Sequence, residues 1–212
     1  YDEAGMNYDR PGLRIERLDE ALQIIKSMWE NERTTFSGKH YQIKNIAKAA
    51  ELPAGARPQI LIGGGGPRVL RLAGRHADIV GINPSLPEGK ITPNSAADLA
   101  PERLDEKIRE VRAGAEAAGR SFDAIELNSL TFVVAITDDP SGLRGALAKG
   151  SGMTVEQVAN CPIFLTGSPA EIRDGLEKRR ERYGLSYIVI QGRDQAVVEK
   201  FAELVVAPLS GK

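Results

Sequence analysis

One cysteine, Cys161, is all the chain holds, which excludes an internal disulfide and any cysteine-based metal cluster. Its neighbours Pro162, Ile163 and Phe164 point to a packed thiol rather than a nucleophile. Histidine is nearly as scarce. His40 and His76 stand far apart without metal-ligand spacing, so structural or surface roles are expected for both and no metal is expected. A dominant charge is also missing: Lys and Arg number 28 against 29 Asp and Glu, and a net charge of −1 sets up no field for nucleic acid or an anionic membrane. No apolar run approaches the ~20 residues of a membrane span, and no charged leader precedes a hydrophobic stretch. The expectation left is a cytoplasmic protein with a small-molecule partner. The chain opens on Tyr1 without a methionine, which suggests that sequence is missing upstream.

What is present suits one buried core, since 212 residues with 42% apolar content fit a single domain. Ile15, Leu18, Leu22, Ile25 and Trp29 recur in steps of three and four, predicting an amphipathic helix over about 14–30. A hairpin or extended loop around Gly38 follows in Phe36–Tyr41. From Pro58 the pattern becomes strand, turn, helix, strand: Gln59-Ile60-Leu61-Ile62, four glycines, a helix from Pro67 to His76, then Ile79-Val80-Gly81-Ile82. Residues 84–101 hold four prolines and little periodicity, and read as a long surface loop of the kind that borders sites.

Leu104, Ile108, Val111, Ala115 and Ala118 predict another helix, closed by Gly119. Residues 125–136 read as a third strand, ending at Asp138-Asp139-Pro140, whose acids suit a helix N-cap and first turn. A helix with Leu143, Ala146 and Leu147 comes next. Thr154 with Gln157, and Ser168 with Glu171, match the capping box that fixes helix starts. Tyr187-Ile188-Val189-Ile190 supplies a fourth strand, and a terminal helix spans 197–206.

Buried strands separated by helices call for a parallel sheet with helices as crossovers, so the class is α/β. A complete (β/α)8 TIM barrel takes roughly 250 residues. Four strands after an unpartnered first helix look like its second half, strands 5 to 8, in one domain over residues 1–212 with a loop insertion around 83–101. Half a barrel leaves unpaired strand edges, which a homodimer or an upstream half is expected to cover.

The run Gly63-Gly64-Gly65-Gly66 supports three readings. Without Cβ atoms, the N–H groups of Gly64, Gly65 and Gly66 can close on phosphate oxygens, and the helix from Pro67 adds its positive end and Arg68. Alternatively the glycines only make a tight strand-to-helix turn. The third reading is a Rossmann fingerprint, in which the third glycine position would fall on Arg68 or Val69, and the acidic residue, Asp78, would precede the second strand instead of ending it.

Pro58-Gln-Ile-Leu-Ile-Gly-Gly-Gly-Gly66 followed by Val69-Leu-Arg-Leu-Ala-Gly-Arg-His-Ala-Asp-Ile-Val80 resembles the luciferase-like monooxygenase superfamily. The segments Arg17–Leu22 and Phe36–Tyr41 agree, while Ile125–Leu130 and Arg179–Val189 resemble its actinobacterial group that uses the deazaflavin coenzyme F420. The resemblance implies a (β/α)8 barrel with F420, or alternatively FMN, at the C-terminal strand ends, its phosphate on Gly64, Gly65 and Gly66, and hydride transfer to or from an organic substrate. With the reading of the loop itself, the expected cofactor-binding set is Gly63, Gly64, Gly65, Gly66 and Arg68. The family's catalytic residues lie in strands that would precede Tyr1, so no catalytic residue is assigned. Asn83, Gln191 and Arg193, which follow strands, are the remaining candidates for cofactor or substrate contact.

Overall fold

A proline at the first helical position opens α1 (Pro11–Glu30), and its exit leads into an antiparallel hairpin of β1 (Arg33–Ser37) and β2 (Gln42–Ala47). The protein is described by a computed structural model covering residues 1, 3–48, 53, 57–86, 89–191 and 194–210. They fall in two units, Tyr1–Gln59 and Ile60–Lys212.

In the first unit α1 and the hairpin are tied by two carboxylates. Glu20 accepts three successive backbone N–H groups at the hairpin turn, from Lys39 at 2.8 Å, His40 at 3.0 Å and Tyr41 at 2.9 Å. One turn earlier, Glu16 Oε2 lies 2.9 Å from both Lys39 Nζ and His40 Nε2. The expected apolar stripe of α1 is only partly buried. Leu22 and Ile24 are enclosed, whereas Leu18 and Ile25 are exposed.

The second unit holds the anticipated parallel sheet, ordered β3 (Leu61–Gly64), β4 (Ile79–Ile82), β5 (Glu126–Thr131) and β8 (Leu185–Ile190). Gly63, Gly81, Asn128 and Tyr187 stand in one register row and share a face. The adjacent row of Ile62, Val80 and Leu127 is buried and faces the opposite way. Two helices cover the sheet, α2 (Pro67–His76) and α3 (Pro101–Ala117). They cross at glycines: a Cβ on Gly74 would stand 2.1 Å from Val111 O, and one on Gly114 2.1 Å from Arg71 O. Arg120 closes the C-terminal end of α2, its guanidinium donating to Gly74 O at 2.9 Å and Ala77 O at 2.8 Å.

Two features differ from the sequence reading. The expected third strand breaks at Phe132, and its continuation β6 (Val133–Ile136) leaves the four-stranded sheet to pair in parallel with β7 (Phe164–Gly167), a strand the sequence reading did not separate from the Cys161 segment. A second small core forms there, with Leu165, Ile172, Phe201 and Val205 buried beneath β6 and β7. It gives the terminal helix α7 (Gln195–Phe201) and the π turn after it a place to pack. Residues 84–101 are also more ordered than their prolines suggest. A 3₁₀ helix, Pro93–Leu99, buries Ala96 and Leu99 and runs directly into α3.

The remaining connections follow their sequence signals. Helix α4 (Ser141–Ser151) starts where Asp139 Oδ1 accepts the Ser141 N–H at 3.1 Å. The capping boxes of Thr154 and Ser168 open α5 (Val155–Asn160) and α6 (Pro169–Tyr183) as anticipated. Cys161 is enclosed, and burial pushes its thiol up to about 11. Among the described residues, no helix is long and apolar enough to cross a membrane.

Candidate functional site

The four glycines carry β3 into α2, and they do not all do the same job. On Gly64 a Cβ would sit 2.4 Å from Val69 Cγ1, and on Gly65 it would sit 2.3 Å from the Pro84 carbonyl. Gly63 lies against Asn83, with 2.9 Å between its built Cβ and Asn83 Nδ2. Gly65 is thus required by the backbone that follows β4, Gly64 by the Val69 side chain of α2, and Gly63 stands against the tip of the Asn83 side chain. Gly66 is different, because a Cβ there meets nothing within 4 Å. It is the N-cap of α2, with φ −80° and ψ 151°, and no side chain caps the helix. The first amides of a helix have no intrahelical partners, so this end presents free donors and a partial positive charge to open space.

Behind the loop lies a charged cluster that the sequence reading missed. Lys107, on α3, is 4% exposed, and its Nζ donates to Gly65 O at 2.7 Å, Asp98 Oδ2 at 2.7 Å and Ser85 Oγ at 3.2 Å. Ser85 in turn donates its hydroxyl to Gly65 O at 2.8 Å and its backbone N–H to Asp98 Oδ2 at 2.7 Å. Burial opposes the charge on Asp98, yet the hydrogen bonds from Lys107 and Ser85 outweigh it and hold the carboxyl below its usual range. Burial lowers the pKa of Lys107. The signal was available: Lys107 sits three residues after Leu104 and four before Val111, on the buried stripe of α3.

The cluster also sets the direction of a donor. Gly65 C=O and Gly66 N–H belong to one planar trans peptide and point in opposite directions. Holding the carbonyl on Lys107 and Ser85 turns the Gly66 N–H away from the cluster.

At the C-terminal ends of β4 and β5 a cavity of about 600 Å³ opens. Asn83 borders both this cavity and the glycine loop, its N–H donating to Gly64 O at 2.9 Å. Of the residues anticipated from sequence, the fold thus brings together Gly63, Gly64, Gly65, Gly66 and Asn83. Arg68 sits on the exposed first turn of α2, beside the loop, and pairs with no other described residue. Gln191 is exposed, donates its N–H to Thr131 O at 3.0 Å and is not part of the cavity lining. Arg193 lies outside the described residues. His40 faces Glu16 in the first unit, and His76 ends α2.

Known proteins extend this picture. The F420-dependent glucose-6-phosphate dehydrogenase of Kineococcus radiotolerans is 32% identical over 138 residues, 65% of this chain and 36% of that protein. The chain therefore spans about a third of the length of that relative. Among solved structures, the coenzyme F420-dependent tetrahydromethanopterin reductase from Methanopyrus kandleri matches with a TM-score of 0.64 at 18% identity, over 92% of this chain and 63% of that one. EDTA monooxygenase from Chelativorans sp. BNC1 matches at 0.69 and 17% identity, over 98% and 63%. At such identities the likeness speaks for the fold, an α/β chain of the (β/α)8 barrel type carrying its second half. The model of the luciferase-like monooxygenase family matches residues 2–205, nearly the whole sequence, and the chain belongs to that family.

Proposed function

We propose that the chain is the cofactor-holding part of a cytoplasmic F420-dependent oxidoreductase, with residues 1–212 forming the C-terminal portion of one barrel. The observation that carries this reading is the uncapped N-terminus of α2 at Gly66, open on one side and braced on the other by Lys107. A phosphate fits such a place: the first amides of a helix lack intrahelical partners, the helix end is positive, and a Cβ on Gly66 would meet no described atom within 4 Å. Gly64, Gly65 and Gly66 would hold the cofactor phosphate through their N–H groups, with the Arg68 guanidinium alongside. The deazaflavin ring supplies hydride chemistry when bound. This chain's residues bind the tail, orient it toward the strand ends and border the substrate space through Asn83. A homodimer would cover the edge strands β3 and β8, and light scattering on the purified chain tests that assembly.

Substituting Gly66→Asp separates binding from folding. Aspartate is a favoured N-cap and Gly66 already has extended backbone angles, so stability should hold or rise by a few tenths of a kcal/mol. Its carboxylate would meet the phosphate, so F420 affinity should fall by about tenfold or more, or ~1.4 kcal/mol. Quenching of F420 fluorescence reads the affinity, with FMN titrated in parallel. Binding of neither cofactor to the unsubstituted chain overturns the proposal. Unchanged F420 affinity in Gly66→Asp removes the cradle.

A further inference from the structure

The cavity beyond Asn83 carries an inference about substrate class, which rests on the oxidoreductase reading above. Its volume of about 600 Å³ falls within the range of small-molecule sites. Leu86, Ile91, Leu130, Phe132, Leu147 and Ile163 supply most of its walls, and none of its described lining residues carries a charge. The hydroxyls at its edge are already engaged. Ser151 Oγ donates to Leu147 O at 2.7 Å, while Ser95 Oγ accepts the Thr92 N–H at 3.0 Å and lies 3.2 Å from Thr92 Oγ1.

Asn83 is the exception. Its backbone N–H is bonded to Gly64 O, but its side-chain amide makes no hydrogen bond with another described residue. It stands on the chain leaving β4, against Gly63, where the cavity meets the cofactor cradle. Seating a phosphate dianion against these described apolar walls would remove part of its hydration with no cation among them to compensate. A neutral molecule with one hydrogen-bonding oxygen suits the walls and leaves Asn83 Nδ2 to bind that oxygen.

We propose that this cavity takes an uncharged, largely apolar carbonyl compound or the corresponding alcohol, its oxygen on the Asn83 amide, and does not take a sugar phosphate. Helix α4 offers a way to close the cavity without disturbing the fold. Ala146 and Gly150 lie four apart on one face of α4, both line the cavity, and a Cβ on Gly150 meets nothing within 4 Å.

The probe is prodan, a neutral naphthyl ketone whose emission moves to the blue in apolar surroundings, titrated into the 212-residue chain. A saturable blue shift is expected, reversed by acetophenone and untouched by glucose 6-phosphate. Gly150→Leu should weaken prodan binding about tenfold or more. Ala146→Leu, on the same face, should act alike, and serves if the first variant melts early. Gly145→Leu should bind as the parent does, since its Cβ also meets nothing and Gly145 is not part of the lining. Displacement by glucose 6-phosphate, absence of a saturable shift, or parent-like affinity in both cavity variants overturns the inference. F420 titrated separately distinguishes the failures: F420 binding without prodan binding removes the substrate class alone, and prodan binding without F420 binding removes the oxidoreductase reading while leaving the cavity.

Discussion

Replacing Lys107 by methionine tests whether the buried cation organises the glycine loop. Methionine keeps most of the side chain's length and apolar stem but removes three donated hydrogen bonds, to Gly65 O, Asp98 Oδ2 and Ser85 Oγ. Breaking a buried ion pair by deleting one partner costs about 3–5 kcal/mol, because the other charge is left without compensation. Asp98 is not wholly abandoned here. It keeps the Ser85 N–H at 2.7 Å and Arg103 Nη2 at 3.0 Å, and its side chain is 18% exposed. The lower end, about 3 kcal/mol, is therefore expected, which corresponds to a drop in Tm of roughly 6–12 °C for a domain of this size.

Thermal unfolding followed by circular dichroism reads the shift. Adding Asp98→Asn to Lys107→Met should cost little more, since the charge stranded by the first change is then neutral, and the two single effects should fail to add. F420 affinity should fall as well, about tenfold, because the peptide joining Gly65 and Gly66 is no longer held in one orientation. A Tm within about 2 °C of the parent, or additive single effects, would refute the role given to this cluster.

Three further outcomes are expected. Hydrogen bonds from Lys39 and then His40 hold Glu16 down to about 2, and backbone donors from His40, Tyr41 and Lys39 outweigh burial to keep Glu20 low. Both carboxylates thus stabilise the first unit above their ordinary range, and that stability is lost as pH falls from about 4.5 toward 2. Fluorescence of Trp29, the sole tryptophan, should report loosening of the first unit in that window, and a signal flat down to pH 2 would contradict it. Gly74→Ala drives a methyl toward Val111 O in α3, so about 3 kcal/mol should be lost in urea unfolding, and a neutral result would mean that α2 and α3 separate easily. Cys161, buried and with its thiol raised to about 11, should react with a disulfide reagent only as fast as the protein opens, and rapid reaction in native buffer would place it at the surface.

Much of the chain was legible because its signals are local. Capping boxes at Thr154 and Ser168, the apolar runs at 79–82 and 187–190, and the helix from Pro67 to His76 depend on residues within a few positions of each other. So does the glycine loop as a candidate phosphate site, although the same run also suits a tight strand-to-helix turn. These patterns determined the class, four parallel strands with helices between them.

Other features depend on contacts far apart in sequence. Lys107 reads locally as a misplaced charge on an apolar stripe, and only the fold brings it to Gly65, 42 residues away. The departure of β6 at Phe132 follows from the position of β7, a partner 31 residues later in register. Whether a glycine is needed for packing or leaves room for a ligand is decided the same way. Gly64 and Gly65 are pressed by Val69 and Pro84, and Gly66 faces open space. Sequence set which backbone conformations were favoured along the chain. The tertiary structure decided which groups were forced together, because close packing and desolvation act between neighbours in space.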